Sequence, residues 1–141
     1  MRALLSLALL LAAPAYADDE TAIRRAIVAL NQIPPPGSLF TADSDAPHVL
    51  DRLRIHLRHL NRPTVVISHD PWGEANIVFP PVVLANPAIA PGAVRLITPD
   101  VAIVDAACIY TVETIPLLFV MRKEGNDWKI ASARILARWL D

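Results

Sequence analysis

Between Val94 and Arg138 the chain reads VRLITPDVAIVDAACIYTVETIPLLFVMRKEGNDWKIASARILAR, a run dense in Val, Ile and Ala that is broken by two turn-forming clusters. Val94–Thr98 and Val101–Val112 flank Thr98-Pro99-Asp100, and Pro and Asp favour turn geometry, so this is a hairpin. Ile115–Lys123 and Trp128–Arg138 flank Glu124-Gly125-Asn126-Asp127. A Gly-Asn centre supplies the positive φ that a tight hairpin turn needs. The expectation is a C-terminal meander of four antiparallel strands that provides most of the core.

Side-chain alternation then assigns faces. In the last strand Trp128, Ile130, Ser132, Arg134 and Leu136 share one face, and Lys129, Ala131, Ala133, Ile135 and Ala137 share the other. Val101–Val112 is apolar on both faces, which predicts cover on both sides, by helices or by a partner subunit. Asp105 interrupts that strand on the face of Val101, Ile103, Ala107 and Ile109. A charge there is costly unless paired. It is read as an ion pair with Arg95 or Arg134, as a pocket carboxylate acting as general acid or base, or as a residue exposed at a sheet rim.

The N-terminus carries an address. Met1–Ala17, MRALLSLALLLAAPAYA, has a basic residue at Arg2, an apolar run from Ala3 to Ala13 and an Ala15-Tyr16-Ala17 ending. That pattern is a secretory signal cut before Asp18, with an apolar run too short for a stable membrane anchor. The expectation is a single exported domain over 18–141, periplasmic or secreted from a bacterium, with no membrane association after cleavage. The net charge of −1 and the lack of any basic run argue against a nucleic-acid surface. Cys108 is the only cysteine, so no intramolecular disulfide forms, and its apolar neighbours read as those of an inert buried thiol.

Ahead of the meander, Asp18–Gln32 reads as a helix with an acidic, capped start and a stripe of Ala22, Ile23, Ala26, Ile27 and Leu30. Pro34-Pro35-Pro36-Gly37 ends it. Asp43, Ser44 and Asp45 offer caps for a second helix, Pro47–Asn61, buried through Leu50, Leu53, Leu57 and Leu60. His48 and His59 lie opposite that stripe and His56 at its boundary, where it is a candidate pocket residue. His56 and His59 are three apart, but no carboxylate stands beside them, so no metal site is assigned.

Arg62–Gly92 is the least regular stretch. Thr64–Ser68 reads as a short strand, 69–74 as a turn, and Ile77–Leu84 as an apolar edge segment broken by Pro80-Pro81. Trp72 and Glu74 are candidates to gate a pocket; the plainer reading has Trp72 anchoring a long loop on the core. No phosphate loop, nucleophile elbow or zinc pattern occurs, and no cofactor is implied.

An amphipathic first helix followed by this meander resembles the SnoaL-like branch of the nuclear transport factor 2-like superfamily. The likeness rests on Val94, Asp100, Val101, Ala102 and Val104, then on Gly125, Trp128 and Ile130, and is good over Val94–Ile135. The resemblance implies an α+β cone: N-terminal helices packed on a strongly curved, mainly antiparallel sheet, enclosing an apolar cavity, often in a homodimer. Relatives often place a strand hairpin between the early helices and the main sheet, where this chain is expected to have only its Pro-rich run and second helix. No catalytic pair of the family aligns here.

Three functions follow as expectations. The first is a non-catalytic module that binds a small apolar ligand or associates as a homodimer through the sheet. The second is a cofactor-free isomerase, lyase or hydrolase with Asp105 moving the proton and Tyr110, His56 or Trp72 orienting the substrate. Tyr110 has opposite strand parity to Asp105, so without a bulge both cannot face one cavity. The third is a structural subunit of a larger exported assembly.

Overall fold

In the computed structural model, residues 17–60, 64–70, 73–79, 87–110 and 113–137 are described. The secretory-signal assignment, but for Ala17, and the Trp72 and Pro80-Pro81 assignments lie outside them. Helix α1 covers 17–29, and its buried residues Ile23, Ala26 and Ile27 recur at helical spacing, with Leu30 just beyond its end. A 3₁₀ turn at Gly37–Leu39 leads to helix α2, Ala46–Leu60. The Ser44 hydroxyl accepts from the Ala46 amide at 3.2 Å at the start of α2, while Pro47 sits in the first turn, where a missing N–H costs nothing.

Strands β1 (Thr64–Asp70) and β2 (Gly73–Phe79) form an antiparallel hairpin in unbroken register from Thr64↔Phe79 to Asp70↔Gly73. This corrects the expectation of a 69–74 turn and of no hairpin ahead of the main sheet. The β-branched residues of TVVIS and the apolar run Ile77-Val78-Phe79 favour extended pairing. The hairpin extends through His69, opposite Glu74, and is complete before Pro80.

The four-stranded sheet has the order β3-β4-β5-β6, all antiparallel: β3 is Ala88–Thr98, β4 Val101–Tyr110, β5 Glu113–Glu124 and β6 Asp127–Ile135. The meander expected from sequence is present. Its first strand begins six residues earlier than expected, absorbing Pro91 and Gly92 at a register shift. An edge strand tolerates a Pro and a bulge because one side of its backbone has no ladder partner. Gly92 fits because a Cβ there would lie 3.0 Å from the Asp105 carbonyl oxygen. The β5–β6 turn is Gly125-Asn126, with φ +63° at Gly125 alone. Positive φ confined to the first central residue is the pattern of a II′ turn.

The last strand departs from simple alternation. Val120 pairs with Ser132 but Met121 pairs with Ile130, so Ala131 is bulged. Trp128 and Ile130 are buried before the bulge and Ala133 after it. One extra residue has moved the core set from even to odd positions, which corrects the face expected for Ala133, Ser132 and Arg134.

α1 and α2 pack on the inner sheet face over a core that includes Ile27, Leu50, Val104, Leu117, Phe119 and Ile130. Each edge of this sheet is tied at particular residues by the helical side. At β3 the Asn31 side chain donates to the Ile89 carbonyl at 3.0 Å and accepts from the Ile89 amide at 2.8 Å. At β6 the Ile130 carbonyl accepts from the Thr41 amide at 3.1 Å, and the Ala133 amide donates to Asp45 at 3.1 Å. Edge groups paired in this way are removed as templates for stray strand addition.

Candidate functional site

Strand parity on β4 builds the site. Ala102, Val104, Ala106, Cys108 and Tyr110 are buried beneath the helices, whereas the intervening residues face outward. Register with β5 is continuous along the whole strand, so no bulge resets this alternation. Cys108 and Tyr110 therefore project inward where β4 ends, and Asp105 projects to the other side.

At that inner position the end of α1, the middle of α2, the start of β3 and the end of β4 converge on a cleft of about 450 Å³. Leu30, Leu50, Leu53, Leu57, Cys108 and Tyr110 line it, and each is at least nine-tenths buried. Asn31, Ile33, Arg54, Arg58 and Ile89 line it from less buried positions. The Asn31–Ile89 hydrogen bonds tie the α1 end to β3 and fix that wall. The volume lies within the range of small-molecule sites.

The chemistry of the lining is lopsided. Its described residues include two arginines and no carboxylate or imidazole. Arg54 is paired with Asp51 at 3.2 Å, while Arg58 has no ion pair or hydrogen bond among the described residues. The Tyr110 hydroxyl likewise has no hydrogen-bond partner among them. Burial pushes the Cys108 thiol up from its ordinary range, so the sulfur stays protonated and weakly nucleophilic.

The sequence-selected residues separate. Tyr110 lines the cleft and is 7% exposed. Asp105 stands on the outer face, its side chain half exposed, with the Arg95 guanidinium 3.6 Å away. His56 is half-buried on α2 and is not among the described lining residues. Glu74 sits on β2 opposite His69, and Trp72 is outside the described residues. Leu30, Asn31, Arg54, Arg58, Ile89 and Cys108 were not singled out as cleft residues by sequence reasoning. Two signals point to them: Cys108 shares the parity of Tyr110, and Arg54 and Arg58 stand i, i+4 beside the leucine stripe.

Among the described residues three carboxylates have lowered pKa values, and all serve the scaffold. Asp19 is lowered chiefly by the Trp128 indole hydrogen bond and, in part, by Lys123. Asp45 is lowered chiefly by Arg134, which donates to it at 2.6 Å. Asp43 is lowered chiefly by the Thr41 hydroxyl, with Arg122 adding to it. Asp19 ties α1 to the sheet, Asp43 and Asp45 tie the segment leading into α2 to it, and none is among the described lining residues.

No family model, curated protein or solved structure matches this chain. Among the described residues no helix is long and apolar enough to cross a membrane, and no group of three His, Cys, Asp or Glu is placed to hold a metal ion.

Proposed function

We propose that this chain is an exported, non-catalytic module that binds a small apolar ligand in the cleft between its helices and its sheet, and that pairs with a second copy through the outer sheet face. The cleft carries the reading. Its buried wall includes Leu30, Leu50, Leu53 and Leu57, and its described lining offers no carboxylate or imidazole for proton transfer. Asp105, the candidate general acid or base of an isomerase, lyase or hydrolase, projects to the opposite side of the sheet, with the Arg95 guanidinium 3.6 Å away. That placement favours binding over turnover.

Pairing is supported by the outer face. Ile97 and Ile109 are 59% and 52% exposed, and Val101, Ile103, Leu118 and Val120 are only half-buried there. An apolar sheet face of this kind marks an interaction surface. Helices on a four-strand antiparallel meander are also the arrangement that the SnoaL-like resemblance implies, and a strongly curved sheet around the cleft belongs to the proposal. Export rests on the Met1–Ala17 pattern.

Native mass spectrometry of the protein purified from an exported preparation tests both halves. The expected result is a dimer that either retains a discrete small mass or acquires one on addition of apolar compounds. A monomer contradicts the pairing. A protein that neither retains nor accepts any apolar compound contradicts the binding reading.

A further inference from the structure

Two hydrogen-bond donors at the cleft have no acceptor among the described residues. We infer that the cleft takes a small molecule with an apolar body and one carboxylate, and that the Tyr110 hydroxyl and the Arg58 guanidinium donate to that carboxylate. The inference rests on the binding reading above and adds the chemical class of the ligand.

Tyr110 supplies the first observation. It is 7% exposed, it lines the cleft, and its hydroxyl has no partner among the described residues. Its ring is buried but its hydroxyl is not sealed off, so the O–H is open to an acceptor that enters the cleft. Arg58 supplies the second. It lines the same cleft and has no ion pair or hydrogen bond among the described residues. Arg54, one helical turn earlier, is held by Asp51 at 3.2 Å, which leaves Arg58 as the cation available to a ligand.

The rest of the lining decides between ligand charges. Among the described residues it includes no Asp or Glu, so a cationic ligand would find no counter-charge there and would meet two arginines. A wholly apolar ligand would leave both donors unmatched. Of the two amides in the described wall, Asn31 is engaged on both its oxygen and its nitrogen by Ile89, and Gln32 is an exposed side chain at the rim. A carboxylate answers both open donors, because it accepts at two oxygens and matches a guanidinium fork. Leu30, Leu50, Leu53 and Leu57 receive the apolar body.

The test uses three ligands with the same eight-carbon chain: octanoate, octanol and octylammonium. Each is titrated into the full folded protein by two-dimensional NMR at low and high salt. Octanoate is expected to bind at least tenfold more tightly than octanol or octylammonium, roughly the value of one charge-assisted hydrogen bond. Its affinity alone should fall with salt. Arg58→Gln, on an exposed side chain, should remove most of that preference by weakening octanoate far more than octanol, with Tyr110→Phe acting in the same direction. Equal binding of octanoate and octanol, or an Arg58→Gln protein that keeps the preference, would overturn the carboxylate assignment and leave the cleft reading standing. Preference for octylammonium would overturn it as well. Failure of all three to shift any cleft resonance would overturn the assignment and the binding reading together.

Discussion

Asp19 lies in the first turn of α1, but its carboxylate is committed to the far end of the sheet. It accepts from the Trp128 indole at 3.0 Å and from Lys123 Nζ at 3.1 Å, and Lys123 also lies 5.9 Å from the Trp128 ring centroid. Asp19→Ala strands the indole N–H of a residue only 6% exposed, so denaturant unfolding should show a loss of about 1–3 kcal/mol. Asp19→Asn, which keeps an acceptor, should lose less. The same carboxylate makes acid the weak condition. Asp19, Asp43 and Asp45 all have native pKa values below the ordinary 3.8. A lowered native pKa contributes stability that is fully present above the unfolded value and is lost as pH falls through the native one. Urea midpoints should therefore hold steady down to about pH 5 and fall below about pH 4. A midpoint that rises across that range would contradict the role given to these three groups. None of these long-range pairings was legible in the sequence. An Asp at a helix start predicts a local dipole or capping role, and nothing in its neighbours announces a Trp more than a hundred residues away.

Elements were more legible than side-chain partners, and the exceptions have a common cause. Periodicity and turn residues placed α1, α2 and the four-strand meander, because those signals are local. The II′ turn was visible in Glu124-Gly125-Asn126-Asp127. Its requirement for φ +63° at Gly125 predicts that Gly125→Ala costs about 1 kcal/mol, measurable by denaturation, with the fold retained. A neutral substitution there would contradict the turn geometry. The Ala131 bulge was not visible. Alternation alone put Ser132 and Arg134 with the core residues Trp128 and Ile130, whereas the extra residue turns Ala133 inward. That shift leaves the Ala133 amide and the Arg134 side chain free to meet Asp45 on the segment leading into α2. β1 and β2 were underestimated because six prolines in Arg62–Gly92 masked a hairpin that begins after Pro63 and ends before Pro80. The cleft was half legible. Tyr110 could be read from parity, but Leu30, Arg54 and Arg58 become neighbours of β4 only through helix docking.

At the scale of the whole molecule, the sheet separates two surfaces with different chemistry. Its inner face carries the core and the cleft; its outer face carries Ile97, Ile103, Ile109, Leu118 and Val120 around the Arg95–Asp105 pair. A stable pairing interface buries about 800 Å² on each partner, and a charge placed at its centre is left desolvated and unmatched. The proposed pairing therefore predicts that the parent chain sediments as a dimer and Ile109→Glu as a monomer, while the unfolding midpoint of the isolated chain changes little, since Ile109 is half exposed in it. Unaltered sedimentation would place the contact elsewhere. The two surfaces also make the central claim directly readable. Methyl NMR of Ile- and Leu-labelled protein, titrated with octanoate, reports both faces in one spectrum. The account predicts shifts at Leu50, Leu53, Leu57 and Ile89, with Ile97, Ile103 and Ile109 unmoved. Shifts confined to the outer-face isoleucines, or none at any methyl, would contradict it.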